Sequence, residues 1–323
     1  MTEPADLLIS AAELFAILRA EADLPPGAPR TRVLDVRWSL AQPDGRPAYR
    51  DGHIPGAVYA DLEHELSAPG PATRGRHPLP DAASLTAAAH RWGLHPGDRV
   101  VAYDGGGNFA AARLWWLLRD AGAGEHGHAG AGEHAHADGG ASGAGGGAGI
   151  ESVRLLDGAL PAWTAAGLSL ESGDVTPAPG TITLGSGRMP RIELDEVARF
   201  ARDELLLDVR AAERYEGRDE PIDPRAGHIP GARNLPTAGN LDAAGGFLAP
   251  AALRERFASV GIGVDEGARA GGVRVGVSCG SGITASHTLF ALALAGIDGE
   301  LFPGSWSQWA NHPELPVAVG PEP

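Results

Sequence analysis

Short apolar runs of strand length alternate with segments of helical spacing along most of the chain. Near the start, Ser10 and Glu13 stand three apart just ahead of Leu14, Phe15, Ile17 and Leu18, which predicts a helix with a capping box that Arg19 helps to end. Residues 33–36 and 100–103 are apolar runs of strand length, and after a glycine loop residues 110–118 take helical spacing. The order then returns, with a helix over 196–202, strands over 205–209 and 273–278, and a helix over 285–295. Strands buried on both faces and alternating with helices predict an α/β fold built on parallel sheets flanked by helices.

The alternation returns because the sequence repeats. Val33-Leu34-Asp35-Val36-Arg37 recurs as Leu206-Leu207-Asp208-Val209-Arg210, and Gly52-His53-Ile54-Pro55-Gly56-Ala57 recurs letter for letter as Gly227-His228-Ile229-Pro230-Gly231-Ala232. The run 99–103 ends at Asp104, whereas its counterpart 274–278 ends at Cys279. Leu156-Asp157-Gly158 ahead of Trp163 matches Phe302-Pro303-Gly304 ahead of Trp309. The first repeat is longer, and the surplus is visible as 121–149, a run of Gly, Ala, His, Glu, Asp and Ser that predicts an inserted flexible loop. Residues 169–190, rich in Pro and Gly from Pro177 to Pro190, predict a linker, leaving domains at 1–168 and 191–323.

At 323 residues the chain is long enough for two domains with a core each. Its 41 acidic and 26 basic side chains give a net charge of −15, which opposes attraction to nucleic acid or anionic membranes. No run of about 18 apolar residues predicts a membrane span. Glu3, Asp6 and Glu13 deny the N-terminus a basic region followed by a clean apolar one, so the expectation is a cytoplasmic protein with a small-molecule role. A single cysteine excludes an internal disulfide and any zinc site built on several thiolates.

An isolated cysteine is most often a small buried hydrophobe. Cys279, however, ends a buried strand, and Gly280, Ser281, Gly282, Ile283 and Thr284 lead straight into an apolar helix, which is where open α/β sheets bind ligands. Backbone N–H groups in a small-residue turn and a helix N-terminus form an anion cradle that favours a thiolate or a persulfide.

The doubled Asp-Val-Arg and Gly-His-Ile-Pro-Gly-Ala blocks, the Cys279-Gly280-Ser281-Gly282-Ile283-Thr284 loop and the terminal Gly304-Ser305-Trp306-Ser307-Gln308-Trp309 resemble the tandem rhodanese-domain sulfurtransferases. The resemblance covers nearly everything outside 121–149. It implies two tandem rhodanese-like domains, the first catalytically silent with Asp104 in place of the cysteine and the second carrying a Cys279 persulfide. The Cys-Gly-Ser-Gly loop resembles that of mercaptopyruvate enzymes, since thiosulfate enzymes tend to place cations in the loop. Without cations there, the donor's carboxylate must be held from elsewhere, and the resemblance assigns that role to Arg214 and Arg225. Arg214 has no arginine opposite it in the first repeat, whereas Arg225 faces Arg50. The resemblance also implies a Ser281, His77 and Glu63 relay, with Glu63 standing where the family has aspartate. No cofactor or metal is implied, and the acceptor would be cyanide or a thiol such as thioredoxin. The alternatives are a thiosulfate:cyanide sulfurtransferase and a non-enzymatic persulfide relay module. A cysteine phosphatase fits poorly, because its loop needs an arginine where Ala285 stands.

Other features read as structural. His53 and His228 occur in both repeats and are expected in turns, and Asp35–Arg37 and Asp208–Arg210 are expected ion pairs. Trp163, Trp306 and Trp309 are expected to pack, with Trp306 also able to line the pocket rim. His126, His128, His134 and His136 could collect zinc or nickel, but low-complexity expansion is the favoured reading.

Overall fold

A computed structural model describes residues 6–25, 27–124, 149–263 and 272–323. The first half runs β1 (Leu8–Ile9), α1 (Ala11–Glu21), β2 (Thr31–Asp35), α2 (Arg46–Asp51), β3 (Val58–Tyr59), α3 (Ala82–Arg91), β4 (Arg99–Tyr103), α4 (Ala111–Asp120), β5 (Ser152–Leu156) and α5 (Ala159–Ala165). The second runs α6 (Leu194–Asp203), β6 (Leu205–Asp208), α7 (Ala212–Tyr215), β7 (Arg233–Asn234), α8 (Pro250–Ala258), β8 (Val275–Ser278), α9 (Ile283–Leu294), β9 (Glu300–Leu301) and α10 (Ser305–Ala310).

Each half builds its own parallel sheet, ordered β1-β5-β4-β2-β3 and β7-β6-β8-β9. The second sheet has the same order with one edge reduced. Where β1 pairs with β5 in the first, a single parallel bridge of Arg191 to Leu301 stands in the second. The expected α/β architecture is therefore present twice.

The ends of the elements differ from expectation in ways that matter locally. Ser10 Oγ accepts from the Glu13 N–H at 3.2 Å, but the Glu13 carboxylate takes Arg154 at 2.9 Å, so the expected reciprocal box is half made. Val273 is exposed and the strand begins at Val275. α9 begins at Ile283, two residues early, so that Gly282 becomes its cap and the helix N-terminus reaches the cysteine loop.

The linker is strapped along the first half. Glu171 and His53 exchange backbone hydrogen bonds of 2.9 Å, Thr181 donates to Leu94 at 3.0 Å, and Ile182 and Leu184 are buried. The Asp120 carboxylate accepts from the N–H groups of Gly187 and Met189. The expected insertion is also shorter at its ends: Ala123 is buried and the Gly124 N–H donates to Ile150 O at 3.1 Å, which closes the base. The four histidines from His126 to His136 lie outside the described residues.

The halves meet through α4 and α9. Trp115 meets Phe290 edge-on at 4.9 Å, and one apolar cluster takes in side chains from both halves. α4 is buried almost all round, as a helix sandwiched between its own sheet and α9 must be. Each such large side chain contributes about 1.5–3 kcal/mol on burial. Among the described residues no helix is long and apolar enough to cross a membrane.

Candidate active site

β8 is buried along its length and delivers Cys279 to the sheet's C-terminal end, where the thiol is 1 % exposed. The turn that follows works because residue 282 is glycine. Gly282 sits at φ +81, and a Cβ there would come within 2.4 Å of Pro303 O. That backbone aims the Gly282 N–H at Cys279 Sγ, which accepts it at 3.1 Å. Among the described residues, no acceptor takes the N–H groups of Gly280, Ser281, Ile283 or Thr284, so the loop presents unclaimed donors beside the sulfur and at the α9 N-terminus.

Ser305 holds the loop from behind. Its hydroxyl accepts from the Cys279 N–H at 3.0 Å and donates to Phe302 O at 2.9 Å, with a left-handed φ of +52. The Trp306 N–H donates to Cys279 O at 3.0 Å. In the first repeat Ala159 has the same φ of +52, and the Leu160 N–H donates to Asp104 O at 3.2 Å. Ser305 was missed from sequence, where nothing marks a residue forced into a left-handed turn.

The first repeat shows what its loop binds. The Asp104 carboxylate accepts from the N–H groups of Gly106, Asn108 and Ala110 at 2.8–3.0 Å. Burial nevertheless pushes its pKa up to about 6, with those N–H groups pulling the other way.

Ser281, His77 and Glu63 come together across the interface. His77 Nδ1 lies 2.8 Å from Ser281 Oγ and its Nε2 lies 3.2 Å from Glu63 Oε1. A carboxylate at Nε2 wants a proton there, which leaves Nδ1 to accept from the Ser281 hydroxyl. Burial holds the His77 pKa below its ordinary value, opposed by the Glu63 charge. Trp38 Nε1 donates to the same Glu63 oxygen at 2.6 Å and its ring meets His77 edge-on, a contact without a sequence signal.

Two more arginines approach from the first repeat. Arg113 on α4 is fully buried; it donates to Leu66 O and, at 2.9 Å, to His77 O, while its Nη1 has no partner among the described residues. Burial draws its pKa down to about 10, and the negative charge available at Cys279 works against that fall. Arg76 pairs with Asp223 from the second repeat.

The two expected substrate arginines part company. Arg214 on α7 faces the loop, held by Glu220 at 2.6 Å and Asp223 at 3.4 Å. Arg225 does something else: its Nε, Nη1 and Nη2 donate to the carbonyls of Ala310, Leu315, Trp309 and His312 at 2.7–3.0 Å. Four of its five N–H donors go to the C-terminal segment, which counts against its expected role as a carboxylate ligand.

Asp35–Arg37 and Asp208–Arg210 form the expected internal pairs, each at 2.6 Å. His53 and His228 are buried and stack on Tyr49 and Tyr215 at 4.1 and 3.8 Å, so they pack as well as turn the chain. Trp163, Trp306 and Trp309 are buried packing anchors, and Arg210 lies over the Trp306 ring at 4.7 Å.

Sequence comparison meets this geometry directly, since the rhodanese-like domain matches residues 18–166 and 193–312. The chain belongs to the rhodanese-like family. It is 42 % identical over 319 residues to the protein named "Putative thiosulfate sulfurtransferase SseB" from Mycobacterium tuberculosis, covering 97 % of both chains. It is 41 % identical over 319 residues to the "Probable 3-mercaptopyruvate sulfurtransferase" of Pseudomonas aeruginosa, covering 97 % of this chain and 100 % of that one. Among solved structures, 3-mercaptopyruvate sulfurtransferase from Leishmania major superposes with a TM-score of 0.75 at 25 % identity, covering 98 % of this chain and 77 % of that one. This rhodanese-like protein thus has relatives named for each of two sulfur donors.

Proposed function

We propose that the protein is a sulfurtransferase that moves sulfur from 3-mercaptopyruvate through a Cys279 persulfide to cyanide or a small thiol, with the first repeat catalytically silent. The observation that carries this reading is Cys279 Sγ held by the Gly282 N–H in a loop of unclaimed donors that itself contains no cation. In the reaction the Cys279 thiolate attacks the donor sulfur and the S–C3 bond breaks. Its electron pair leaves as the pyruvate enolate, which takes the donor's thiol proton to give pyruvate. The negative charge stays on Cys279 as the persulfide anion, and transfer of the outer sulfur to cyanide gives thiocyanate and restores the thiolate.

The Ser281–His77–Glu63 chain supplies a path for that proton at the Ser281 oxygen. The loop N–H groups of Ser281 and Ile283 stand at the positions whose counterparts hold the Asp104 carboxylate, which supports their use on the anionic sulfur. The lone thiol and acidic charge go with a cytoplasmic location, and an outside acceptor is needed because no second cysteine is available.

Thiosulfate is the second reading, favoured by the 42 % identical relative's name and by the two guanidiniums near the loop. Initial rates with each donor, using cyanide as acceptor, test the assignment. Faster turnover of 3-mercaptopyruvate is expected; faster turnover of thiosulfate would overturn the donor, and sulfur transfer by Cys279→Ser would overturn the mechanism.

A further inference from the structure

Gly280, next to the nucleophile, is flanked by two guanidiniums from different repeats. A Cβ on Gly280 would lie 3.2 Å from Arg76 Nη2 and 3.3 Å from Arg214 Nη1. We propose that Arg76 joins Arg214 as a second substrate-binding cation, the pair gripping the carboxylate of the α-keto acid donor across the domain interface; that the anion is a carboxylate rests on the function proposed above.

Which nitrogens are free is the main support. Arg76 uses Nη1 on Asp223, and Arg214 uses Nε and Nη2 on Glu220 and Asp223. The two nitrogens nearest Gly280, Arg76 Nη2 and Arg214 Nη1, donate to no group among the described residues. Asp223 gives one oxygen to each arginine, so it sets the guanidiniums side by side and leaves one donor edge of each turned to the loop. Two convergent N–H edges suit a planar two-oxygen anion.

Arg76 is also placed with care. Gly75 takes φ +83, and a Cβ there would come within 2.9 Å of Gly304 O, so the segment lies tight against the start of α10. One residue later His77 binds Ser281. The pair Arg76-His77 therefore brings a cation and a relay base to the consecutive loop residues Gly280 and Ser281. Arg225, the other arginine that sequence offered, has four of its five N–H donors committed to carbonyls.

The single cysteine makes a clean test, because alkylation reports one site. Full-length wild type, Arg76→Gln and Arg76→Lys would be treated with iodoacetate, an anion, and with iodoacetamide, its neutral counterpart. For Arg76→Gln the iodoacetate rate is expected to fall roughly tenfold or more, the scale of one charged hydrogen bond, with the iodoacetamide rate within about twofold of wild type. Arg76→Lys keeps the charge and loses the fork, so it is expected to fall between, and it carries the test alone if the glutamine variant does not fold. Equal falls with both reagents, or no change with either, would overturn the proposal. A wild type that prefers iodoacetate yet does not turn over 3-mercaptopyruvate would sink the donor reading and leave the anion grip standing.

Discussion

Ser281 and His77 belong to different repeats and are joined by a 2.8 Å hydrogen bond, so the second repeat's loop is completed by the first. Burial keeps His77 neutral at pH 7 by holding its pKa below 6.5, and the Glu63 charge works the other way. If this histidine handles the proton, the acidic limb of kcat/KM with 3-mercaptopyruvate lies below pH 6.5. Glu63→Gln removes the charge that supports the protonated ring, so the limb is expected to move to still lower pH. His77→Asn is expected to lower kcat about 100-fold, within the usual span for a lost acid–base group. A pH profile unchanged in Glu63→Gln would remove His77 from the proton path.

Arg225 ties the chain's last segment to α10 by four donor–carbonyl contacts. Arg225→Leu leaves the carbonyls of Ala310 and Leu315 without a donor, at about 1–3 kcal/mol for each one that water does not reach, while those of Trp309 and His312 keep the N–H groups of His312 and Leu315. The expected result is a lower urea midpoint with little change in the Kd for pyruvate, while Arg214→Leu is expected to weaken pyruvate binding as well as to lower the midpoint, since Glu220 and Asp223 lose a buried partner. Titrating pyruvate into each variant measures the affinity side. Weakened pyruvate binding in Arg225→Leu at unchanged stability would return this arginine to the substrate.

His287 on α9 is fully buried, stacked on Phe247 at 4.7 Å and beside Phe109, with Nδ1 against Thr237 Oγ1 at 2.9 Å. Burial drives its pKa down to about 3. Between that value and the unfolded value near 6.5 the unfolded chain binds the extra proton, so this group's contribution is whole above pH 6.5 and is lost as pH falls. The slope is about 1.4 kcal/mol per pH unit, or roughly 2 kcal/mol between pH 6.5 and 5. Asp104, with its raised pKa, acts in the opposite sense over part of that range, so the difference between wild type and His287→Gln is the quantity to read. Urea melts at pH 7 and pH 5 should show the variant losing less stability on acidification than wild type.

The base of the first repeat's insertion is closed by the Gly124–Ile150 hydrogen bond. Deleting residues 125–148 is therefore expected to leave turnover and thermal midpoint close to wild type. A large loss of activity on deletion, or of bound zinc or nickel measured on the purified protein, would give the His-rich stretch a role.

The duplicated framework was legible because repeated blocks mark repeated backbone tasks: Asp35–Arg37 and Asp208–Arg210 make the same pair, and Leu160 and Trp306 make the same bond. Cys279 stood out because it breaks the repeat. Arg76, Arg113, Trp38 and Ser305 did not, since each reaches the site by a contact between elements distant in sequence, and local periodicity carries no signal of that. Arg225 shows the converse limit, because the letter at a position does not say where a guanidinium spends its donors. The linker's glycines and prolines read as loose chain, whereas Ile182 and Leu184 anchor it.

Asp104 carries its negative charge on a side chain that cannot be discharged by giving anything away. Its oxygens fill the first repeat's loop with the same kind of anion that the second repeat would hold only between donor and acceptor. On the function proposed, the molecule keeps one loop locked in the occupied state beside one free to cycle. An Asp104→Ser variant would vacate the locked copy and turn it into a plain receptor for small oxyanions, a second harbour with no cargo of its own.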